Sequence, residues 1–150
     1  MIGVIQRVQN ASVEIDSVVK SSIKGGLLIL LGITHTDKKS DVDWLAAKVC
    51  GLRIFSDEGG KMNKSVLDIQ GELLVVSQFT LLARTQKGNC PSFLEAARSE
   101  QAILLYEQFI EACKIILKKD ISTGIFGADM QVKLLNDGPV TILIDTKNKH

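Results

Sequence analysis

The residues with the clearest capacity for chemistry are Ser77, Gln78, Phe79 and Thr80. They sit inside the longest strongly apolar run of the chain, Leu73 to Leu82. A hydroxyl or amide placed in a buried strand must find a hydrogen-bond partner. Two readings follow: the strand passes from core to rim at this point, or its polar groups face a site. In an extended chain Ser77 and Phe79 would point to one side, Gln78 and Thr80 to the other.

Other chemistries find less support. The chain has two histidines, His35 and His150. A nucleophilic triad would have to combine His35 with Cys90 or a serine brought in by the fold. No nucleophile elbow or papain-like cysteine context accompanies either residue. Cys50, Cys90 and Cys113 are widely spaced and lack Cys/His metal spacing, so no metal or other cofactor is expected. The carboxylate pairs Asp41/Asp43 and Glu95/Glu100 read as exposed charges. Gly25-Gly26 and Gly59-Gly60 lack the context of a phosphate loop or dinucleotide fingerprint. Asn136-Asp137-Gly138-Pro139 is turn chemistry, and its Gly-Pro bond is one of the few where a cis peptide is affordable. Arg7, inside the first strand, is either a solvated edge residue or a guanidinium hydrogen-bonded to backbone carbonyls at a site.

The elements that must position these residues follow from periodicity. Ile2–Val8, Ala11–Ile15 and Val18–Ile23 read as strands, with a turn or bulge at Asn10. Leu27 to Leu31 is a central strand buried on both faces. Val42, Leu45, Ala46 and Val49 define one face of a helix capped by Thr36 or Asp37 and stopped by a left-handed Gly51. Arg53-Ile54-Phe55 is a short strand before a turn at residues 57–61. After a polar loop over Arg84–Ser92, Ser99 caps a long helix whose face includes Ile103, Tyr106, Phe109, Ile110, Cys113 and Leu117. Two further strands, around Met130–Leu135 and Val140–Ile144, are joined by a tight connection, and residues 146–150 form a frayed polar tail. The prediction is one α/β domain over residues 1–150, with mixed sheet layers, barrel- or sandwich-like, covered by two main helices.

Composition bounds the function. The 150 residues are 45% hydrophobic and 23% charged, with a net charge of +1. That balance suits a globular protein and gives no global basic field for gripping a long nucleic acid, although it permits contact with a few phosphates at one end. Unpaired cysteines, the absence of a secretory N-terminal pattern and the absence of a membrane-length apolar run lead to an expected cytoplasmic location and no membrane partner.

The chain closely resembles the D-aminoacyl-tRNA deacylase family of the bacterial and eukaryotic type. The likeness runs from Met1 to about Asp145. It rests on Ser77-Gln78-Phe79-Thr80-Leu81, on Asn136-Asp137-Gly138-Pro139-Val140-Thr141, and on Gly127-Ala128-Asp129-Met130-Gln131-Val132. Ile5-Gln6-Arg7-Val8, Ala11-Ser12-Val13, Leu30-Leu31-Gly32, Arg53-Ile54-Phe55 and Lys61-Met62-Asn63 occur in the family's order and spacing. The resemblance implies a homodimer that hydrolyses the ester between a D-amino acid, or glycine, and the 3′-terminal adenosine of tRNA, and that rejects the L form. It further implies that Ser77 to Thr80 line the catalytic site. Gly138 and Pro139, joined by a cis peptide, would reach across the interface into the partner's site, and Arg7 would hold that element. Phe126 and Met130 would lie near the terminal nucleotide. Cys90 and Ile125 depart from the family pattern, which carries basic residues there. Two rivals remain: a non-catalytic dimerisation domain of the same fold, and a cysteine hydrolase using Cys90 and His35.

Overall fold

The computed structural model describes residues 1–149. Its frame is one strand, β1 (Ile2–Ile15), which is antiparallel to three others. On one side its first half pairs with β3 (Gly26–Gly32) and its second half with β2 (Val18–Ile23). On the other side it pairs along nearly its whole length with β8 (Gln131–Asp145). The register shifts of β1 against β8 fall at Gln6/Val8 and Val8/Asn10. Of the turn or bulge expected at Asn10, the structure has a bulge-like irregularity, and the two strands expected on either side are one. Parallel pairing continues from β3 to β6 (Glu72–Ser77) and from β6 to β7 (Ser122–Thr123). Ser21 Oγ of β2 donates to the Thr123 carbonyl of β7 at 2.7 Å. The two ends of the sheet path thus meet, and the sheet nearly closes into a barrel.

Alternation explains how two strands serve two cores. Leu27, Ile29 and Leu31, with Leu73 and Val75, pack beneath the helices α1 (Lys39–Gly51) and α2 (Ser99–Leu117). Leu28, Leu74 and Val76 point the other way, to Val8, Ala11, Val13 and Ile23 inside the near-barrel. A strand buried on both faces reads as a continuous apolar run, as Leu27 to Leu31 does.

The helix ends differ from expectation. α1 begins after Lys38, whose N–H is accepted by Asp41 Oδ2 at 2.9 Å. Asp37 is used elsewhere: it accepts the Met1 ammonium at 2.6 Å and the Thr34 N–H at 2.7 Å, fully buried. Gly51 remains helical, and Leu52 ends the helix without a left-handed residue. α2 starts after Arg98 with no side-chain cap, and its left-handed C-terminal residue is Lys118. On α2, Ile103 is exposed, and Ala102 and Leu105 take the buried positions beside Tyr106 and Phe109. Arg53 and Ile54 lie outside the hairpin of β4 (Phe55–Ser56) and β5 (Met62–Lys64). No helix among the described residues is long and apolar enough to cross a membrane.

The expected frayed tail is corrected at its start. Thr146 is buried, its Oγ1 accepts the Met1 ammonium at 2.9 Å, and Lys147 pairs with Asp41 at 2.8 Å. A polar residue stays ordered when its partners are already desolvated. His150 lies outside the described residues.

Burial pushes the Asp41 carboxyl up, but hydrogen bonds from Lys147, the Lys38 N–H and Thr146 hold it down at about 2. A value below the ordinary 3.8 means that the ionised form favours the fold. Asp41→Asn is expected to cost about 1–2 kcal/mol at neutral pH, a figure discounted for the partial exposure of Lys147. In urea unfolding followed against pH, the gap between the two proteins should be full above about pH 4 and close as the pH falls towards 2.

Candidate functional site

The polar cluster sits where β6 runs out. Ser77 is the last residue of the strand, and Phe79–Leu82 form a single 3-10 turn, so the segment is not one extended strand. The Gln78 N–H donates to Leu31 O at 2.8 Å, which ties the turn to the end of β3. Gln78 Nε2 donates to Thr80 Oγ1 at 2.5 Å, so the two side chains satisfy each other locally. The first donor of the turn is Leu81, to Gln78 O, and the N–H groups of Phe79 and Thr80 precede it. Such leading donors are available to water or a ligand.

Ser77, Gln78 and Phe79 border an open cleft of about 560 Å³. Phe126 and Met130 line it from the segment after β7. Ala96 and Ala97, ahead of α2, line it opposite; sequence reasoning missed them, since small residues mark space only once their neighbours are known. Tyr106 organises the floor: its hydroxyl donates to Val75 O at 2.8 Å and its ring tilts against Phe126 with centroids 6.1 Å apart. Burial raises its pKa to about 12, which leaves it neutral and a donor. Asp129 is the one acidic residue in the lining. Thr80 adjoins the cleft but does not line it, and its side chain is exposed.

Arg7, Gly138 and Pro139 form a second group, none of which lines that cleft. The predicted pair of strands over residues 130–144 is one strand, β8, running antiparallel to β1 throughout. Its tight connection is an outward excursion. Val8 pairs with Asn136 and Gln6 with Thr141, so residues 137–140 stand opposite Arg7 alone. Arg7 is only 12% exposed, so it is not the solvated edge residue of the first reading. Its Nε donates to Asp137 O at 3.1 Å and its Nη1 to Ile54 O at 2.6 Å. Asn136 Oδ1 accepts the Val140 N–H at 3.3 Å across the base of the excursion. Gly138 has φ +116, and the peptide to Pro139 is cis. A Cβ on Gly138 would run into Arg7 Nη2.

His35 and Cys90 do not compose a dyad. His35 Nε2 lies 3.7 Å from Glu95, which also holds Arg84 at 2.8 Å, and all three side chains lie outside the lining of the cleft. Cys50 and Cys113 are buried in the core.

A small α/β near-barrel with a partly apolar cleft, framed by backbone donors and side-chain amide and hydroxyl groups, has the form of a small-molecule site. The family model described as D-Tyr-tRNA(Tyr) deacylase matches residues 4–145. A protein named D-aminoacyl-tRNA deacylase from Cytophaga hutchinsonii is 71% identical over 149 residues, covering 99% of each chain. One of the same name from Bacteroides fragilis is 59% identical over 146 residues, covering 97% of each. A solved structure titled c-Myc DNA Unwinding Element Binding Protein has 43% identity and a TM-score of 0.91, and covers 97% of this chain and 98% of its own. A probable eukaryotic D-amino acid tRNA deacylase shares the fold at 14% identity, with a TM-score of 0.83 over 95% of this chain and 97% of its own. The chain belongs to the D-Tyr-tRNA(Tyr) deacylase family, whose members are hydrolases.

Arg7 and Gly138 act through one contact, which predicts non-additive substitutions. Arg7→Lys removes the fork that spans two carbonyls, and Gly138→Ala imposes a Cβ at a positive φ. Each should destabilise by about 1–3 kcal/mol in urea titration. The double variant should fall short of the sum by more than about 0.5 kcal/mol.

Proposed function

We propose that this protein hydrolyses the ester joining a D-amino acid, or glycine, to the 3′-terminal adenosine of tRNA, and spares the L-aminoacyl ester. The observation that carries the proposal is the gathering of Ser77, Gln78, Phe79, Phe126 and Met130 around one cleft in a chain of this family. Water adds to the ester carbonyl, the bond to the 3′ oxygen breaks, and the proton from water ends on that oxygen. Among the described residues, no histidine borders the cleft to act as base. The neighbouring 2′-hydroxyl of the substrate relays the proton, and the N–H groups of Phe79 and Thr80 stabilise the oxyanion. Thr80 positions; it is not required as a nucleophile.

Discrimination between enantiomers is a matter of where one side chain points, so it needs a rigid obstruction on the L side. Gly138-Pro139 serves that purpose from a second copy of the chain. Supporting this, β8 pairs on one edge only and leaves Leu134, Leu135 and Leu143 exposed at 37%, 49% and 68%. An edge of that length with large apolar side chains is suited to a partner. The excursion holding Gly138 and Pro139 projects from the same strand. Glycine, with no side chain, passes the obstruction. The name of the 43% identical structure raises DNA binding as an alternative, but a net charge of +1 gives no field for duplex DNA.

Matched D- and L-aminoacyl-tRNA should be separated by at least about 100-fold in kcat/KM, or about 2.7 kcal/mol. Equal rates on the two would overturn the proposal. A substrate ending in 2′-deoxyadenosine should be cleaved at least about 100-fold more slowly; an unchanged rate would remove the relay while leaving the deacylase reading in place.

A further inference from the structure

The mouth of the cleft carries more apolar surface than cleft binding explains. Phe79 is 57% exposed, and Leu94 is 84% exposed. Phe93, half-buried and next to Leu94 in the chain, packs edge-to-face with Phe79, with centroids 5.1 Å apart and planes at 71°. The two rings come from different segments, the 3-10 turn after β6 and the far stem of the loop over residues 84–92. That stem is locked by paired backbone bonds, Arg84 N to Ser92 O at 2.8 Å and Ser92 N to Arg84 O at 3.0 Å. Phe93 is thereby held beside Phe79 rather than free to swing. The loop also carries Arg84, 66% exposed and paired to Glu95 through one arm, and Lys87, with exposed Arg98 just beyond Phe93.

An exposed aromatic ring braced by a second one, with cationic side chains on the same stretch of chain, is a combination suited to unpaired nucleotides, since every base offers a π-face and every nucleotide a phosphate. Phe79 belongs both to the cleft and to this pair, so the surface continues the cleft outward. We propose that Phe93 and Phe79 form a stacking surface for the unpaired tRNA nucleotides that precede the terminal adenosine. The proposal rests on the deacylase reading above and adds a second, RNA-specific part to the same site. Phe93 contacts RNA and takes no part in the bond cleavage.

The test compares Phe93→Leu and Phe93→Tyr on two D-aminoacyl esters, one on full-length tRNA and one on adenosine alone. Phe93→Leu keeps apolar bulk and removes the π-face. On tRNA it should raise KM about tenfold, equivalent to about 1.4 kcal/mol, with kcat within about twofold. On the adenosine ester its effect on kcat/KM should stay under about threefold, because the stacked nucleotides are absent. Phe93→Tyr should restore the KM on tRNA to within about twofold of the unmutated value. An equal loss on both esters would overturn the proposal, because Phe93 would then be supporting the cleft itself. So would an unchanged KM on tRNA. A change of sedimentation mass in Phe93→Leu would assign the surface to contact between copies and overturn it as well. An unmutated protein inactive on D-aminoacyl-tRNA would overturn the deacylase reading, and the stacking proposal with it.

Discussion

The structure depends on a guanidinium held almost out of water. Arg7 lies in the middle of β1, with strands on both sides, and only 12% of its side chain is exposed. A charge in that position is tolerated only if its donors are taken up. The acceptors are carbonyls of Asp137 and Ile54, one from the last strand and one from the segment after α1. Strand β8 therefore cannot run straight past Arg7. It lifts four residues outward, and the chain after α1 must return beneath them. The excursion is the pairing geometry of a strand opened to make room for one side chain, with Gly138 where a Cβ would meet the guanidinium.

The other half of the molecule follows from strand β6. Its side chains alternate between the helical core and the near-barrel interior, and both interiors end near Ser77. Beyond that point Phe79 and Thr80 are exposed, and of the turn only Leu82 is buried. The Gln78 N–H donates to the Leu31 carbonyl near the end of β3, and the backbone turns into a single 3-10 turn. The polar cluster is therefore local closure of the sheet edge as well as the rim of a cleft. The cleft exists because Ala96 and Ala97 are small, and because Tyr106 pins α2 to Val75 O and leaves Phe126 and Met130 along the opposite side.

The two halves lie apart within one chain: no residue of the Arg7 excursion borders the cleft. A composite site built from both requires a second copy. The unpaired edge of β8, with its exposed leucines, is the surface best suited to receive one.

Much of this was legible in the residues alone. Leu27 to Leu31 read best as a strand buried on both faces, because a run without polar alternation has no exposed side, and Leu73 to Val76 as a strand. The spacing of Val42, Leu45, Ala46 and Val49, and of Tyr106, Phe109 and Cys113, sufficed for the two helices. The turn residues at 136–139 announced a break in extended chain. What they could not announce was its direction. Turn chemistry is local, and the same Asn-Asp-Gly-Pro serves a hairpin or an outward excursion; pairing with β1 decided for the latter. Likewise Asp37 is a good helix cap by type, but the buried Met1 ammonium outbid the helix for it. Thr146 looked like tail and became core for the same reason. Sequence determined the two helices and the main strand segments, because those depend on neighbours a few residues away. Tertiary structure alone decided which polar groups pair and where space is left, because those depend on residues more than a hundred positions apart, such as Arg7 and Asp137.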